Sequence, residues 1–268
     1  MLSGGSFAIP ITQLQSRIIK SPARTTDAMD GSFVVDGLFD RERSVRLLAL
    51  VRHNFTIDAQ FRFRVFLDDM WTTLEYDSGL QPVFPEVYTE ETETWDGGNF
   101  FDLTLSEEDR EDLTATLIHV LPDSFTGVTF RLEVFDSLNP DGYLEAGRLF
   151  VGDGWQPVHN MAYGAQIGFE ARSLVDESIG GTEFFDERED FRVARFALPR
   201  TQEDEALATG FELLRRQSIT KDVFYMWDTA DTVHVLRRSF IGRLRQLSPI
   251  EADFVQNFAH QFEIKELI

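Results

Sequence analysis

Apolar and polar residues alternate along much of the N-terminal half of the chain. Every second residue is apolar over 59–67, and the same period of two recurs over 128–134. This period is typical of β-strands that bury one face. Apolar runs of strand length occupy 45–53 and 116–121, with turn-rich stretches between the strands. Because no helical pattern intervenes, residues 32–146 are predicted to form a jelly-roll-like β-sandwich.

The C-terminal half combines strand patterns with one clear helical pattern. Residues 191–198 alternate as a strand, which Pro199 is expected to end, and Thr201 then occupies the position of a helix N-cap. The next three residues are acidic and Arg215 and Arg216 close the segment, as the helix dipole favours. The pattern predicts a helix over about 201–216. The residues expected on its apolar face are Ala206, Leu207, Phe211 and Leu214.

The chain length and a strong turn signal together suggest two domains. At about 150 residues per domain, 268 residues correspond to roughly two domains. The turn Asn139-Pro140-Asp141-Gly142 marks a change of character, and we place the boundary near Gly147. The resulting organisation is an arm or lead-in strand over 1–31, the jelly roll over 32–146, and a mainly β domain over 147–268.

Composition excludes several classes of function. The net charge of −21 disfavours nucleic acid and anionic membrane surfaces as partners, and a hydrophobic content of 43% excludes a disordered acidic tail. Without cysteine there are no disulfides, thiol catalysis or iron–sulfur clusters. Only three basic residues are lysines, Lys20, Lys221 and Lys265. An arginine-rich surface suits interfaces built from bidentate pairs, although codon bias gives the same composition.

Motifs for catalysis or for a cofactor are missing from the sequence. It has no nucleophile elbow, phosphate loop or dinucleotide-binding glycine pattern, and its five histidines lack metal-site spacing. His260 shares a strand face with Phe258 and Phe262, which indicates a hydrogen-bonded core or interface histidine. The stretch 136–142 is the most calcium-like; its proline and missing downstream glutamate exclude an EF-hand and leave a calcium-binding loop as a minor alternative. We predict a non-enzyme without metal or cofactor; glycoside hydrolysis by an unidentified carboxylate pair is a minor alternative.

Aromatic residues are concentrated in the turn-rich segments of the first domain. Such rings either stack on sugar faces, as in a carbohydrate-binding module, or close the ends of the sandwich. The candidate glycan-binding residues are Trp71, Tyr76, Tyr88 and Trp95, with Phe84 nearby.

A longer pattern in the second half resembles a known family. The residues that carry it are 147–157, Asn160, Tyr163, Gly164, 178–181, 184–188, Arg192, Arg195, 239–244 and 262–267. With this pattern the chain resembles tail-tip or baseplate proteins of tailed bacteriophages and prophages, encoded among the minor tail genes. The resemblance is strongest over 147–268 and fainter over 32–146, where the family has a jelly roll similar to carbohydrate-binding modules.

The resemblance implies a fold and a role. The expected fold of 147–268 is the tail-tube fold, a β-sandwich with one flanking helix, and the expected role is a structural ring at the distal end of the tail. Expected partners are other tail proteins, namely tube, hub and fibres, and the protein would be assembled in the host cytoplasm into the virion. In distal-tail proteins the tube-like domain usually comes first, and here the order is reversed.

A ring also implies contacts between neighbouring subunits. Head-to-tail rings bring two different surfaces of each subunit together. The residues expected at these contacts are Arg188, Arg192, Arg195, Arg243, Arg245, Trp155 and Tyr163. The alternative function is a carbohydrate-binding module that recognises a cell-surface glycan through the aromatic residues of the first domain.

Overall fold

The structure, a computed structural model, describes residues 1–84, 113–254 and 256–268. The chain divides into two compact units. The first consists of residues 1–154 and 228–237, and the second of 155–227 and 238–268. Antiparallel strands dominate both units, which confirms the mainly β prediction. Gly147, where the sequence placed the boundary, lies inside a strand of the first unit. None of the helices in the described ranges has the length and apolarity to span a membrane.

The described part of the first unit contains a nine-stranded antiparallel sheet. Its strands are β1 (Leu2–Ser3), β2 (Phe7–Ile9), β3 (Ala23–Thr25), β4 (Phe33–His53), β5 (Gln60–Phe66), β6 (Leu74–Asp77), β7 (Gln81–Pro82), β8 (Thr116–Phe135) and β9 (Glu145–Gly152). A short 3₁₀ helix spans Ile11–Gln15. Residues 1–31, which the sequence predicted as an arm or lead-in strand, contribute β1, β2 and β3 to this sheet through pairs with β4 and β9.

Two long strands, β4 and β8, pass from one layer of the first unit to the other. Residues 33–38 of β4 pair with 129–134 of β8, and after register shifts residues 47–51 pair with 116–120. The C-terminal part of β8 also pairs with β5, whereas the C-terminal part of β4 pairs with β9. Apolar side chains from both parts form one buried core. The sheet therefore folds over on itself as a β-sandwich.

The described part of the second unit contains a six-stranded antiparallel sheet and a separate two-stranded ribbon. The order in the sheet is β10-β13-β17-β15-β14, and β16 pairs with β17. The sheet strands are β10 (Gln166–Glu170), β13 (Phe191–Gln202), β14 (Val223–Met226), β15 (Ser239–Leu244), β16 (Glu251–Phe254) and β17 (Asn257–Glu266). The ribbon consists of β11 (Leu174–Glu177) and β12 (Glu183–Asp186).

One helix, α1, flanks this sheet as predicted, but its start is not the predicted one. It is α-helical over Glu203–Glu205, π-helical over Ala206–Phe211 and α-helical again over Glu212–Gln217. The N-cap is Gln202, without a side-chain cap bond, whereas Thr201 is buried and pairs with Phe258 in the sheet. Pro199 does not end β13, because it lies at a register shift where no ladder hydrogen bond is needed. A second short helix, α2, spans Val235–Arg238.

The apolar face of α1 is also rotated from the predicted one. Leu207 and Phe211 are about half exposed, whereas Ala206 and Gly210 are buried and Leu213 and Leu214 pack on the core. The small residues let the helix approach the sheet closely, and the wide π turn carries the two larger side chains outward.

His260 lies on the sheet under α1 as a buried core residue. Its ring stacks on Phe262 with centroids 5.9 Å apart, and a Cβ atom at Gly210 would lie 2.4 Å from its Cε1 atom. His260 is thus a core residue, as predicted, but neither ring nitrogen has the expected hydrogen-bond partner within the described chain. Burial lowers the pKa of His260, and a nearby carboxylate, Glu205, partly opposes this.

We expect the stability of the fold to fall on mild acidification. Burial also lowers the pKa of His119 in the first unit. An unfolded histidine titrates near pH 6.5, so below that pH the unfolded state takes up protons that the buried rings resist. The contribution of these two histidines to stability is fully present above pH 6.5 and decreases as the pH falls toward their folded pKa values. Urea midpoints at pH 7.5 and 5.5 measure this loss. The variants His119→Gln and His260→Gln should each flatten the dependence; an unchanged slope in both would contradict the assignment.

Candidate binding and assembly surfaces

In the calcium-like stretch 136–142, the side chains of Asp136 and Asn139 form hydrogen bonds within the chain itself. The carboxylate of Asp136 accepts bonds from the backbone N–H and the hydroxyl of Thr56, at 2.9 and 2.6 Å, and from the side chain of Asn139 at 2.9 Å. Asn139 also donates to the carbonyl of Asn54 at 2.9 Å. Its acidic and amide groups thus join two turns of the first unit. No group of three potential metal ligands occurs among the residues that the structure describes.

Trp71 lies on a loop that its neighbours hold firmly. Asp68 accepts the backbone N–H groups of Thr72 and Thr73 at 2.9 and 2.6 Å and the hydroxyl of Thr72 at 2.9 Å. These bonds hold the pKa of the Asp68 carboxyl well below its usual range. Trp71 itself has φ of 62°, a left-handed conformation that is rare for a bulky residue. An unusual conformation held by the surrounding structure is characteristic of functional loops.

The Trp71 ring is supported on one side and partly exposed. Its edge meets the ring of Phe66, with centroids 5.3 Å apart, and the guanidinium of Arg131 lies 5.1 Å from the centroid of Trp71. Arg131 is held in turn by a bond to Asp36 of 2.8 Å. The indole is therefore pre-oriented, as a stacking surface for a flat ligand requires.

Tyr76, a second candidate for glycan binding, is engaged inside the first unit. Its hydroxyl shares a 2.8 Å hydrogen bond with Nε2 of His119, and its ring lies 4.7 Å from that of Phe125. Burial raises the pKa of Tyr76. The remaining aromatic candidates, Tyr88 and Trp95, lie outside the described residues.

Arg192, which the sequence nominated for an interface, is buried inside the second unit. Its backbone N–H and its Nε each donate to Glu266 at 2.9 Å, and Nη2 donates to the other oxygen of the same carboxylate. Its guanidinium also lies 5.2 Å from the ring centroid of Phe240. With 5% of its side chain exposed, Arg192 cannot reach a neighbouring subunit. It joins β13 to the end of β17.

Arg195 and Arg245 lie together on the other face of the sheet. Arg195 donates to Glu263 at 2.9 Å, and Arg245 donates to both Glu170, at 2.8 Å, and Glu263, at 3.0 Å. Arg243 is paired with Lys265 in the strand register, which places it on the same face. The bonds to Arg245 and then to Arg195 lower the pKa of Glu170. The structure thus brings three of the predicted interface arginines onto one exposed surface.

The other three predicted interface residues lie apart from this surface. Arg188 is exposed and bonds Asp186 at the end of the ribbon, and Tyr163 is fully exposed on a loop. Trp155 is half-buried against the core of the second unit, where its Nε1 donates to Glu205 at 3.1 Å. Trp155 is thus a packing residue, whereas Arg188 and Tyr163 are accessible.

The sequence patterns did not predict one exposed surface element, the two-stranded ribbon of β11 and β12. All of its residues from Leu174 to Glu177 and from Glu183 to Asp186 are exposed. The large apolar side chains of the ribbon are 53% to 110% exposed. They are Leu174, Val175, Phe184 and Phe185 in the strands and Ile179 at the turn. The sequence signal that could have predicted this element is the apolar pair Phe184-Phe185 within an acidic stretch. These residues belong to the family pattern described above, but no structural element was predicted for them.

Comparisons with known proteins give only distant likenesses. No protein-family model matches the chain, and the search of curated proteins finds no match. Among solved structures, a module titled CBM32-1, from a family 31 glycoside hydrolase of Clostridium perfringens, aligns with a TM-score of 0.34 and 9% identity over 57% of this chain and 93% of its own.

Two further carbohydrate-binding modules give similar alignments. The family 32 module of C. perfringens NanJ, solved with galactose, aligns with a TM-score of 0.34 and 12% identity over 56% of this chain and 90% of its own. The CBM32 of AlyQ, solved with 4,5-unsaturated mannuronic acid, has a TM-score of 0.34 and 9% identity over 57% and 95%. At this TM-score the likeness says nothing about function.

Proposed function

We propose that this protein is a structural, non-enzymatic component of a bacteriophage tail tip that assembles through its second unit. The observation that carries the proposal is the exposed ribbon of β11 and β12. A two-stranded hairpin alone is at best marginally stable in water, and five exposed apolar side chains on it are costly to hydrate. In an assembly, a partner molecule would bury these side chains and stabilise the ribbon.

The attribution to a phage tail depends on the family resemblance. Several stretches that carry it, 178–181, 184–188 and 239–244, lie in the turn of the ribbon, in or just after β12, and in β15. The resemblance therefore includes the ribbon, whose exposed apolar side chains need a partner. The partners proposed are neighbouring copies and other tail proteins, and the proposed location is the virion.

Labelling of particles tests this proposal. Antibodies raised against the purified protein, coupled to gold, should label one end of the tail in negative-stain images of particles from the source strain. Size-exclusion chromatography with light scattering should show assembly of the purified chain as its concentration rises. Unlabelled particles together with a chain that remains monomeric would contradict the proposal.

A second candidate function, glycan recognition by the first unit, is favoured by the geometry of Trp71. Its partly exposed indole is fixed by the Asp68 loop and by Arg131, and exposed Met70 extends the apolar surface. Sugars stack on pre-oriented aromatic rings of this kind. The two functions are compatible, since a tail-tip protein can contact the host.

We expect the substitution Trp71→Ala to weaken glycan binding by about 10-fold or more, the effect of losing a central aromatic contact. A glycan array with the intact chain identifies the ligand, and titration with the variant measures the loss. Tyr76→Phe is the matched control, because it keeps the ring and removes only the bond to His119. Equal binding by Trp71→Ala and the unsubstituted chain would exclude this surface.

A further inference from the structure

The ribbon and the segment that follows it are strongly acidic. Residues 174–190, which include β11, β12 and the segment leading into β13, contain seven carboxylates and a single basic residue, Arg188. The apolar side chains lie on both of its faces, because Leu174 and Val175 are neighbours along β11, as are Phe184 and Phe185 along β12. A surface that covers the ribbon must therefore combine apolar contacts with positive charge.

The second unit itself has a surface that supplies positive charge, and the aliphatic stems of its long cationic side chains supply apolar contact; we call it the charged face. It comprises Arg172, Arg195, Arg243, Arg245 and Lys265, together with Glu170 and Glu263. In a chain with a net charge of −21, this cluster of five cations and two carboxylates is a marked local excess of positive charge.

The positive charge of this face is not neutralised by its own carboxylates. Glu170 and Glu263 are engaged by Arg195 and Arg245, and Arg172 and Arg243 have no ion pair within the described parts of the chain. The Lys265 ammonium lies 4.0 Å from the ring centroid of Phe191. Its pKa is lowered by burial and then by the neighbouring arginines.

The ribbon does not cover the charged face of its own copy. Phe184 and Phe185 are 61% and 60% exposed, and Leu174 and Val175 are exposed to a similar degree. A ribbon packed on its own sheet would bury at least one of its two faces. A surface that covers the ribbon therefore has to come from another molecule, and each further copy of the chain carries a charged face.

We propose that the acidic ribbon of one copy docks on the charged face of a second copy. The inference rests on the proposed function, since it supplies the contact by which the protein would assemble. Because the two surfaces differ, the contact is head-to-tail, and each copy keeps one ribbon and one face for its two neighbours. Repeated around an axis, such a contact closes a ring, of which a dimer with two reciprocal ribbon contacts is the smallest, and without closure it generates an open chain.

Mixing two complementary variants tests the contact. Phe184→Ser/Phe185→Ser disables the ribbon, and Arg172→Glu/Arg243→Glu disables the face; all four residues are exposed, so both variants should fold. Each variant alone should self-associate at least about 30-fold more weakly than the unsubstituted chain. An equimolar mixture should form heterodimers and nothing larger, because one intact ribbon meets one intact face. Sedimentation velocity measures these species.

A control variant and a cross-linking experiment sharpen the test. Arg17→Glu/Arg41→Glu makes the same change of charge in the first unit, at exposed residues, and should leave assembly unchanged.

Because the chain has no cysteine, Phe184→Cys and Arg243→Cys introduce a unique pair of thiols. Under oxidation, a chain with both substitutions should form intermolecular disulfides, whereas Leu138→Cys with Arg243→Cys should form few.

The outcomes separate this inference from the proposed function. If both disabling variants assemble like the unsubstituted chain, the ribbon contact is wrong although the protein still self-assembles. If the unsubstituted chain is monomeric but labels the tail tip, the ribbon serves a different protein and the inference is wrong. A monomer that does not label the tail contradicts both.

Discussion

Replacing Glu266 by alanine is expected to destabilise the second unit by about 3–5 kcal/mol, the usual effect of removing one partner of a buried ion pair. The substitution leaves Arg192, whose side chain is 5% exposed, without the carboxylate that accepts its backbone N–H and the Nε and Nη2 groups of its guanidinium. Hydrogen–deuterium exchange of peptides from β13 and β17 measures the loss as faster opening of the sheet.

Two further variants make the interpretation specific. Asp40→Ala removes the partner of Arg43 in an exposed pair and should have little effect, because water already solvates both charges. Arg192→Leu/Glu266→Leu replaces both buried charges by apolar side chains and should be more stable than Glu266→Ala. Equal exchange rates in Glu266→Ala and the unsubstituted chain would show that the pair does not hold β13 to β17.

The second large effect is expected at Gly210, where alanine should destabilise the second unit by about 1–3 kcal/mol. In an ordinary helix the same change stabilises by roughly 0.5–1 kcal/mol. Here the new Cβ atom would lie 2.4 Å from the His260 ring, which is stacked on Phe262 and has little room to move. The close approach of α1 to the sheet therefore reverses the normal sign.

A double-mutant cycle with His260 isolates this contact. In a His260→Ala background the space above the sheet is free, so Gly210→Ala should become neutral or stabilising. Urea unfolding of the four chains gives the coupling free energy. If Gly210→Ala is stabilising in both backgrounds, the helix is not held against His260.

These predictions depend on features that the sequence could not reveal. The helical pattern predicted α1 within a few residues, but the face that it buries depends on the π turn and on how closely Ala206 and Gly210 approach the sheet. Thr201 has the residue type of an N-cap and instead pairs with Phe258, because the strand register continues past Pro199. A tertiary pairing thus overrode a local capping preference.

The candidate surfaces were predicted only in part. The sequence nominated seven interface residues as a set, and the structure separates them: Arg195, Arg243 and Arg245 share the charged face, whereas Arg192 is buried with Glu266. Alternation along β13 distinguishes its two faces, but not which arginine has a carboxylate beside it. Glu266 lies 74 residues from Arg192 along the chain, so no local pattern connects them.

What the sequence alone determined is the class of structure: the period-two patterns specify antiparallel strands, and the acidic, cysteine-free composition limits the partners. These properties follow from local geometry and from summed charge, which need no knowledge of distant contacts. Only the tertiary structure decided that the first 31 residues belong to the first sheet, that Trp71 is held on a fixed loop, and that β11 and β12 remain exposed. The physical reason is that exposure and pairing depend on residues far apart in the chain, which the fold alone brings together.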